Sequence, residues 1–328
     1  MKVASITVTK ETTVVRALAM VSLLTAVLVC LPDARFAGAD EPKPQPKPAG
    51  KDGIRLWQYV KGDTREFFTY GLKVVPPWED GGHLRINFPE HLESMPGTRG
   101  ILRYSDAKRF GDKATGRWVV SADGMTATLN APSAEQPGVF VEGHAKVVSR
   151  NRIDFSMRIT NKTERKTLGA IRPLYCFQYQ PLKGFPGWQQ NFKHTFWLQN
   201  GKLIALADIK TEKPDARVKG GGVKGCPDQS KSTFVMRRGG WIDGGLDRAI
   251  SVVTSLDGKR AMVFAWTPGK CLLSNSVIPC LHADPYYGDI KPGESKIAHG
   301  VLILTEDDPA KIVRQFVDQG LGAPPKEK

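Results

Sequence analysis

In the stretch Arg152–Thr160, RIDFSMRIT, every second residue is apolar. Ile153, Phe155, Met157 and Ile159 take one side and polar residues the other. Successive side chains of an extended chain point to opposite faces, so a period of two describes a strand with one face buried. A helix would scatter the same four residues around its circumference. The pattern recurs in shorter form, and further strands are predicted over Ile54–Val60, His83–Phe88, Gly100–Tyr104, Trp118–Ser121, Thr126–Asn130, Val139–Val148, Leu174–Gln178, Thr195–Gln199, Leu203–Ala207, Thr233–Arg237, Ile250–Ser255, Ala261–Trp266 and Lys296–Thr305. Asp123-Gly124, Asn200-Gly201 and Asp257-Gly258 are dipeptides that tolerate positive φ in tight hairpins, and Pro292-Gly293 marks another turn.

One segment reads as a helix. DDPAKIVRQFVDQG offers Asp308 as N-cap and Pro309 at the first helical position. Ile312, Val313, Phe316 and Val317 share a face, and Gly320 ends it. Many short strands with one terminal helix predict an all-β fold, a large antiparallel β-sandwich.

The ends of the chain carry different signals. Lys2, Lys10 and Arg16 precede an apolar run, Ala17–Leu31, of about 15 residues, the length of a signal-peptide core and short for a membrane span. Ala37-Gly38-Ala39 supplies a small-x-small cleavage site, so residues 1–39 read as a signal peptide cleaved after Ala39. Residues 40–53 alternate proline with lysine and read as an extended linker. The single domain is expected over 54–322, with a loose tail at 323–328. The mature chain would be secreted or periplasmic, with no transmembrane segment. Its oligomeric state is open.

The formal net charge of +14 favours anionic partners such as acidic polysaccharide, and export disfavours nucleic acid. Of five cysteines, Cys30 leaves with the signal. Cys176, Cys226, Cys271 and Cys280 remain, an even number in an exported chain, and a Cys271–Cys280 bridge is the pairing expected if one forms. No cofactor fingerprint is present, and no metal is assigned. Lys210–Lys231 is basic, glycine-rich and aperiodic, and reads as a long loop.

Two segments, MRITNKTERKTLGAIRPLYCFQY (Met157–Tyr179) and CLHADPYYGDIKPGES (Cys280–Ser295), together resemble the galactose mutarotase-like superfamily of aldose epimerases. In that family a strand ending in a v-x-N-t pattern precedes a strand with a His-Pro-Tyr-Phe-like signature. A later strand ends at a Glu-Pro-like motif before L-x-P-G-E. The resemblance implies a sandwich fold and a sugar-handling ancestry. It does not imply a working mutarotase, which needs a glutamate base and a histidine acid flanking one acetal carbon. Here Pro173-Leu174-Tyr175-Cys176 stands at the histidine's place, and His282 or its neighbours at the glutamate's.

On its own terms, HADPYYGD places His282 and Asp284 on one face of an extended chain. Such a pair can act as a base oriented by a carboxylate, bind a divalent cation with Asp289 as third ligand, or serve only as a turn. Tyr286 and Tyr287 offer aromatic faces to a sugar, as does Trp188 in a loop with Phe185 and Phe192. Arg172 is placed to meet a carboxylate or sulfate. Asn161-Lys162-Thr163 matches a glycosylation sequon and also a polar turn. The leading expectation is carbohydrate binding, of an acidic glycan, through His282, Asp284, Tyr286, Tyr287, Arg172 and Trp188. The alternatives are a sugar epimerase or lyase with His282 as general base, and a cell-envelope protein without ligand.

Overall fold

The computed structural model describes residues 53–58, 71–78, 82–95, 99–103, 116–187, 190–213, 215–228, 239–242 and 244–326. All lie in one compact unit, Lys43–Lys328. The signal, most of the linker, the strand expected at Thr233–Arg237 and Trp188 fall outside the described residues.

Two nine-stranded sheets pack face to face. The first runs, in spatial order, β1 (Arg55–Gln58), β2 (Gly71–Val75), β3 (Leu84–Met95), β9 (Gly169–Gln178), β17 (Cys280–Pro285), β16 (Gly269–Asn275), β12 (Val218–Gly222) and β13 (Gly239–Trp241), with β4 (Arg99–Arg103) attached to β3. The second runs β11 (Lys202–Ala205), β10 (Thr195–Gln199), β14 (Ile250–Thr254), β15 (Ala261–Thr267), β18 (Ser295–Thr305), β8 (Arg152–Asn161), β7 (Val139–Ser149), β6 (Thr126–Pro132) and β5 (Trp118–Val120). The expected all-β sandwich is the observed architecture. The alternating stretch is β8, and Ile153, Phe155, Met157 and Ile159 all lie in the core.

The core between the sheets is aromatic. Phe88, Tyr175 and Phe177 enter from the first sheet, Phe155, Phe264 and Trp266 from the second. Their ring centroids lie 4.0–6.4 Å apart, mostly edge-to-face, the arrangement ring quadrupoles favour. The Trp118 indole also reaches across, donating to the Phe88 carbonyl at 3.1 Å. Trp266 fits because its cross-strand partner is Gly300. A Cβ there would stand 3.0 Å from the indole.

The turns follow the sequence. Asn200 and Gly201 both have positive φ (52° and 74°) and join β10 to β11 directly. The C-terminal helix, α2 (Pro309–Asp318), covers the far face of the second sheet, a short α1 (Asn191–His194) having preceded it. Its Ile312, Val313 and Phe316 bury against Leu198, Ile250, Val263 and Val301. The Asp308 carboxylate accepts the Ala310 amide at 2.9 Å, satisfying a first-turn donor that the helix leaves open. Asp308→Ala is expected to lower stability by about 1 kcal/mol, read by urea unfolding. Among the described residues no helix is long and apolar enough to cross a membrane. At Ala323 the chain is still attached, its carbonyl accepting the Gly269 amide at 2.6 Å.

Three local expectations are corrected. First, the loop read at Lys210–Lys231 contains β12, paired antiparallel with β16 inside the first sheet. Its glycines leave room for their neighbours: a Cβ on Gly220 would meet Leu273 at 2.6 Å and Trp241 at 2.9 Å, and one on Gly221 would meet Leu246 and Ile242. Three adjacent glycines read as a loop because nothing local reveals side chains packing over them. Second, the turn offered as one reading of HADPYYGD does not begin at His282: Cys280–Pro285 is β17, a strand absent from the predicted set, between β9 and β16 and buried throughout. Third, the four cysteines are free thiols. Cys271 and Cys280 sit on paired strands out of step, opposite Asp284 and Asn275, and no bridge joins them.

Candidate functional site

Each strand of the first sheet turns alternate residues inward to the aromatic core and outward, away from the second sheet. Register fixes which outward residues meet. One transverse row runs Trp57, Lys73, Arg85, Gln178, Cys280, Asn275. The next runs Asn87, Cys176, His282, Leu273, Gly220. Further along β3 and β9, His91 faces Leu174, and Glu93 faces Arg172. Sequence distance is no guide here, because Asn87, Cys176 and His282 come from three separate parts of the chain.

At the centre of this outer face, the Cys176, Cys280 and His282 donor atoms all lie within 4.8 Å of one another. The Cys280 thiol is 3.7 Å from His282 Nε2. All three residues are buried. The Glu90 carboxylate, from the irregular stretch of β3 between Asn87 and His91, lies against Cys176. The hydrogen bond from Cys176 is the main reason the Cys280 thiol falls to about 6, with burial opposing and His282 assisting. Burial by itself depresses the His282 imidazole, but the hydrogen bond and charge of Cys280 outweigh it and raise it to about 9. Each of the two groups thus favours the charged form of the other. Burial, opposed by Glu90 and reinforced by Arg103 and His282, lowers His91 nearby.

Asp284 is fully buried, and it does not orient His282. One oxygen accepts the Tyr175 amide at 2.9 Å, the other the Cys271 thiol at 3.6 Å. Burial raises its carboxyl to about 6, against the pull of the His282 charge, the Tyr175 amide and Lys270. Lys270, itself buried, pairs with Asp228 at 2.5 Å. His282 thus has Cys280, and not Asp284, for its hydrogen-bond partner.

The other sequence candidates are spread out. Arg172 lies on the same outer face, half-buried, its Nε without a partner. Tyr287 is in the core, its hydroxyl 2.9 Å from that of Tyr175 and donating to the Met157 carbonyl at 3.2 Å, so its ring presents no face to a ligand. Tyr286 packs partly buried against the core edge. Asp289 accepts the Ala170 amide at 2.9 Å and joins no ligand set. Phe185 stacks on Trp78, and Phe192 packs on the core, closing it over.

Sequence reasoning missed Asn87, Glu90, Cys176, Cys280, Trp57 and Trp241. One signal was available: Cys280 and His282 are two apart on an extended segment, and so share a face as surely as His282 and Asp284 do.

Fold and site together define a two-sheet all-β sandwich with a thiol–imidazole cluster centred on the outer face of one sheet. No protein-family model matches the chain, and no curated protein does. In solved structures the chain is similar to a candidate aldose 1-epimerase of Escherichia coli K12, with 10% identity, a TM-score of 0.40, and 78% of this chain and 100% of that one covered. It is also similar to a GalM/aldose epimerase homologue of C. elegans, at 11% identity and a TM-score of 0.31 over 59% of this chain and 69% of the other. The likeness is one of fold alone.

Proposed function

We propose that the chain is exported and binds an acidic carbohydrate on the outer face of its first sheet. One observation carries this reading. Five polar atoms on that face are buried without a hydrogen-bond partner: Trp57 Nε1, Asn87 Nδ2 and Oδ1, Arg172 Nε and His282 Nδ1. Buried polar groups in folded proteins are nearly always satisfied, so several orphans on one face call for an outside partner. Lys73, Arg85, Arg103 and Arg172 give the same face its cations. Trp57 and Trp241, on the two edge strands, offer aromatic surface for sugar C–H groups. Export rests on the basic, apolar and small-x-small order of residues 1–39.

Binding of polygalacturonate and chondroitin sulfate, measured by calorimetry against neutral dextran, tests the reading. Arg172→Ala is expected to weaken the acidic glycan about tenfold, or about 1.4 kcal/mol, with binding that weakens as salt rises. Equal affinity for dextran, or an Arg172→Ala variant that binds as tightly as the native chain, would refute it.

A further inference from the structure

We infer that Cys176, Cys280 and His282 form a binding site for a zinc-class divalent metal ion. The fold builds the donor set from two adjacent strands. Cys280 and His282 alternate on β17 and share its outer side, and Cys176 on β9 stands directly opposite His282. In a tetrahedral site with Zn–S of about 2.3 Å and Zn–N of about 2.0–2.1 Å, neighbouring donors lie about 3.5–3.8 Å apart. The Cys280–His282 separation of 3.7 Å matches that spacing, and all three donors fall within 4.8 Å. Two soft thiolates and an imidazole are the ligand chemistry of zinc rather than of magnesium or calcium. Glu90 lies against Cys176, outside the set of three donors.

A disulfide between Cys176 and Cys280 is the competing outcome in an exported chain. Register argues against it. Cys176 faces His282, so Cys280 is its diagonal neighbour, not its opposite. Diagonal residues across antiparallel strands have Cα atoms roughly 7–8 Å apart, and disulfides take about 4.4–6.8 Å. A metal ion, which adds its own radius between the donors, suits the wider spacing. On binding, two protons leave to solvent, one from the Cys176 thiol and one from the Cys280–His282 pair, so that both sulfurs coordinate as thiolates and His282 Nε2 coordinates neutral. His282 Nδ1 is buried and unpaired, as is the Asn87 amide beyond Cys176 in the same row. The site does not depend on a glycan occupying the face.

The test is cobalt titration of the mature chain, reduced and freed of metal with chelator. Expected is thiolate-to-cobalt charge-transfer absorption with the visible bands of tetrahedral cobalt, saturating at one equivalent and abolished by zinc. Cys176→Ser and His282→Gln, each first shown folded by circular dichroism, should bind at least about tenfold more weakly. Cys226→Ser should bind as the native chain does. Zinc should also raise the melting temperature of the native chain, a readout that needs no variant to fold. A native chain that gives no thiolate–cobalt absorption would overturn the site. So would a Cys176–Cys280 disulfide found by peptide mapping of chain purified without reductant, or undiminished binding by folded Cys176→Ser.

Discussion

Phe264→Ala is expected to lower the free energy of unfolding by about 4 kcal/mol, the largest loss of any single truncation considered. The ring is fully buried on β15 and lies 4.0 Å from Phe177 and 5.9 Å from Phe88, centroid to centroid, both on the opposite sheet. It also meets Phe155 and Trp266 on its own sheet. Removing it opens a cavity bounded by four aromatic rings that are held by separate strands and cannot all move inward. Both the lost transfer free energy and the cavity therefore count in full. Thermal melting should show a fall of roughly 10 °C. Phe264→Leu, which keeps most of the volume, should lose less than about half as much. Equal losses for the two variants would mean that the contact between sheets is not where this stability resides.

Asn161→Ala is expected to lose about 3 kcal/mol, out of proportion to the size of the side chain. Asn161 ends β8 and is completely buried. Its Nδ2 donates to the carbonyls of Lys166 and Ile290 at 2.7 and 2.9 Å. Its Oδ1 accepts the Thr163 amide at 3.1 Å and the Thr163 hydroxyl at 2.6 Å. Truncation leaves the Ile290 carbonyl without this donor and frees the turn that docks β8 against the segment leading into β18. Thr163→Ala, which keeps the Asn161 donor bonds, should lose about 1 kcal/mol. The same burial governs the sequon: a glycan on Asn161 would have to displace all four bonds. Expression in a glycosylating host should give folded chain unmodified at Asn161, checked by mass spectrometry. Glycan on Asn161 in chain that melts like the unmodified protein would contradict this account.

Residue types and local spacing decided much of this molecule. The alternation of β8, the positive-φ dipeptides and the Asp308–Gly320 helix signals each act over a few neighbouring residues, so reading in order along the chain finds them. DIKPGES likewise proved to be a turn feeding β18, with Gly293 at φ 79° and its amide bonded to the Asn161 carbonyl. The same reading failed where neighbours come from elsewhere. Gly220–Gly222 is a strand only because Leu273, Trp241 and Leu246 pack over it.

The site divides in the same way. Composition and order brought out His282 and Arg172, and both lie on the outer face of the first sheet. They also suggested Asp284 as the partner of His282, because it is two residues away. Tertiary structure chose Cys280 and Cys176 instead, turning Asp284 to the Tyr175 amide and Tyr287 into the core. What the sequence by itself determined is the alternation of faces along each strand, which follows from the geometry of the extended backbone. Only the tertiary structure decided which strands lie side by side and in what register. Burying the aromatic faces of both sheets sets that register, and the register alone brings Cys176 opposite His282.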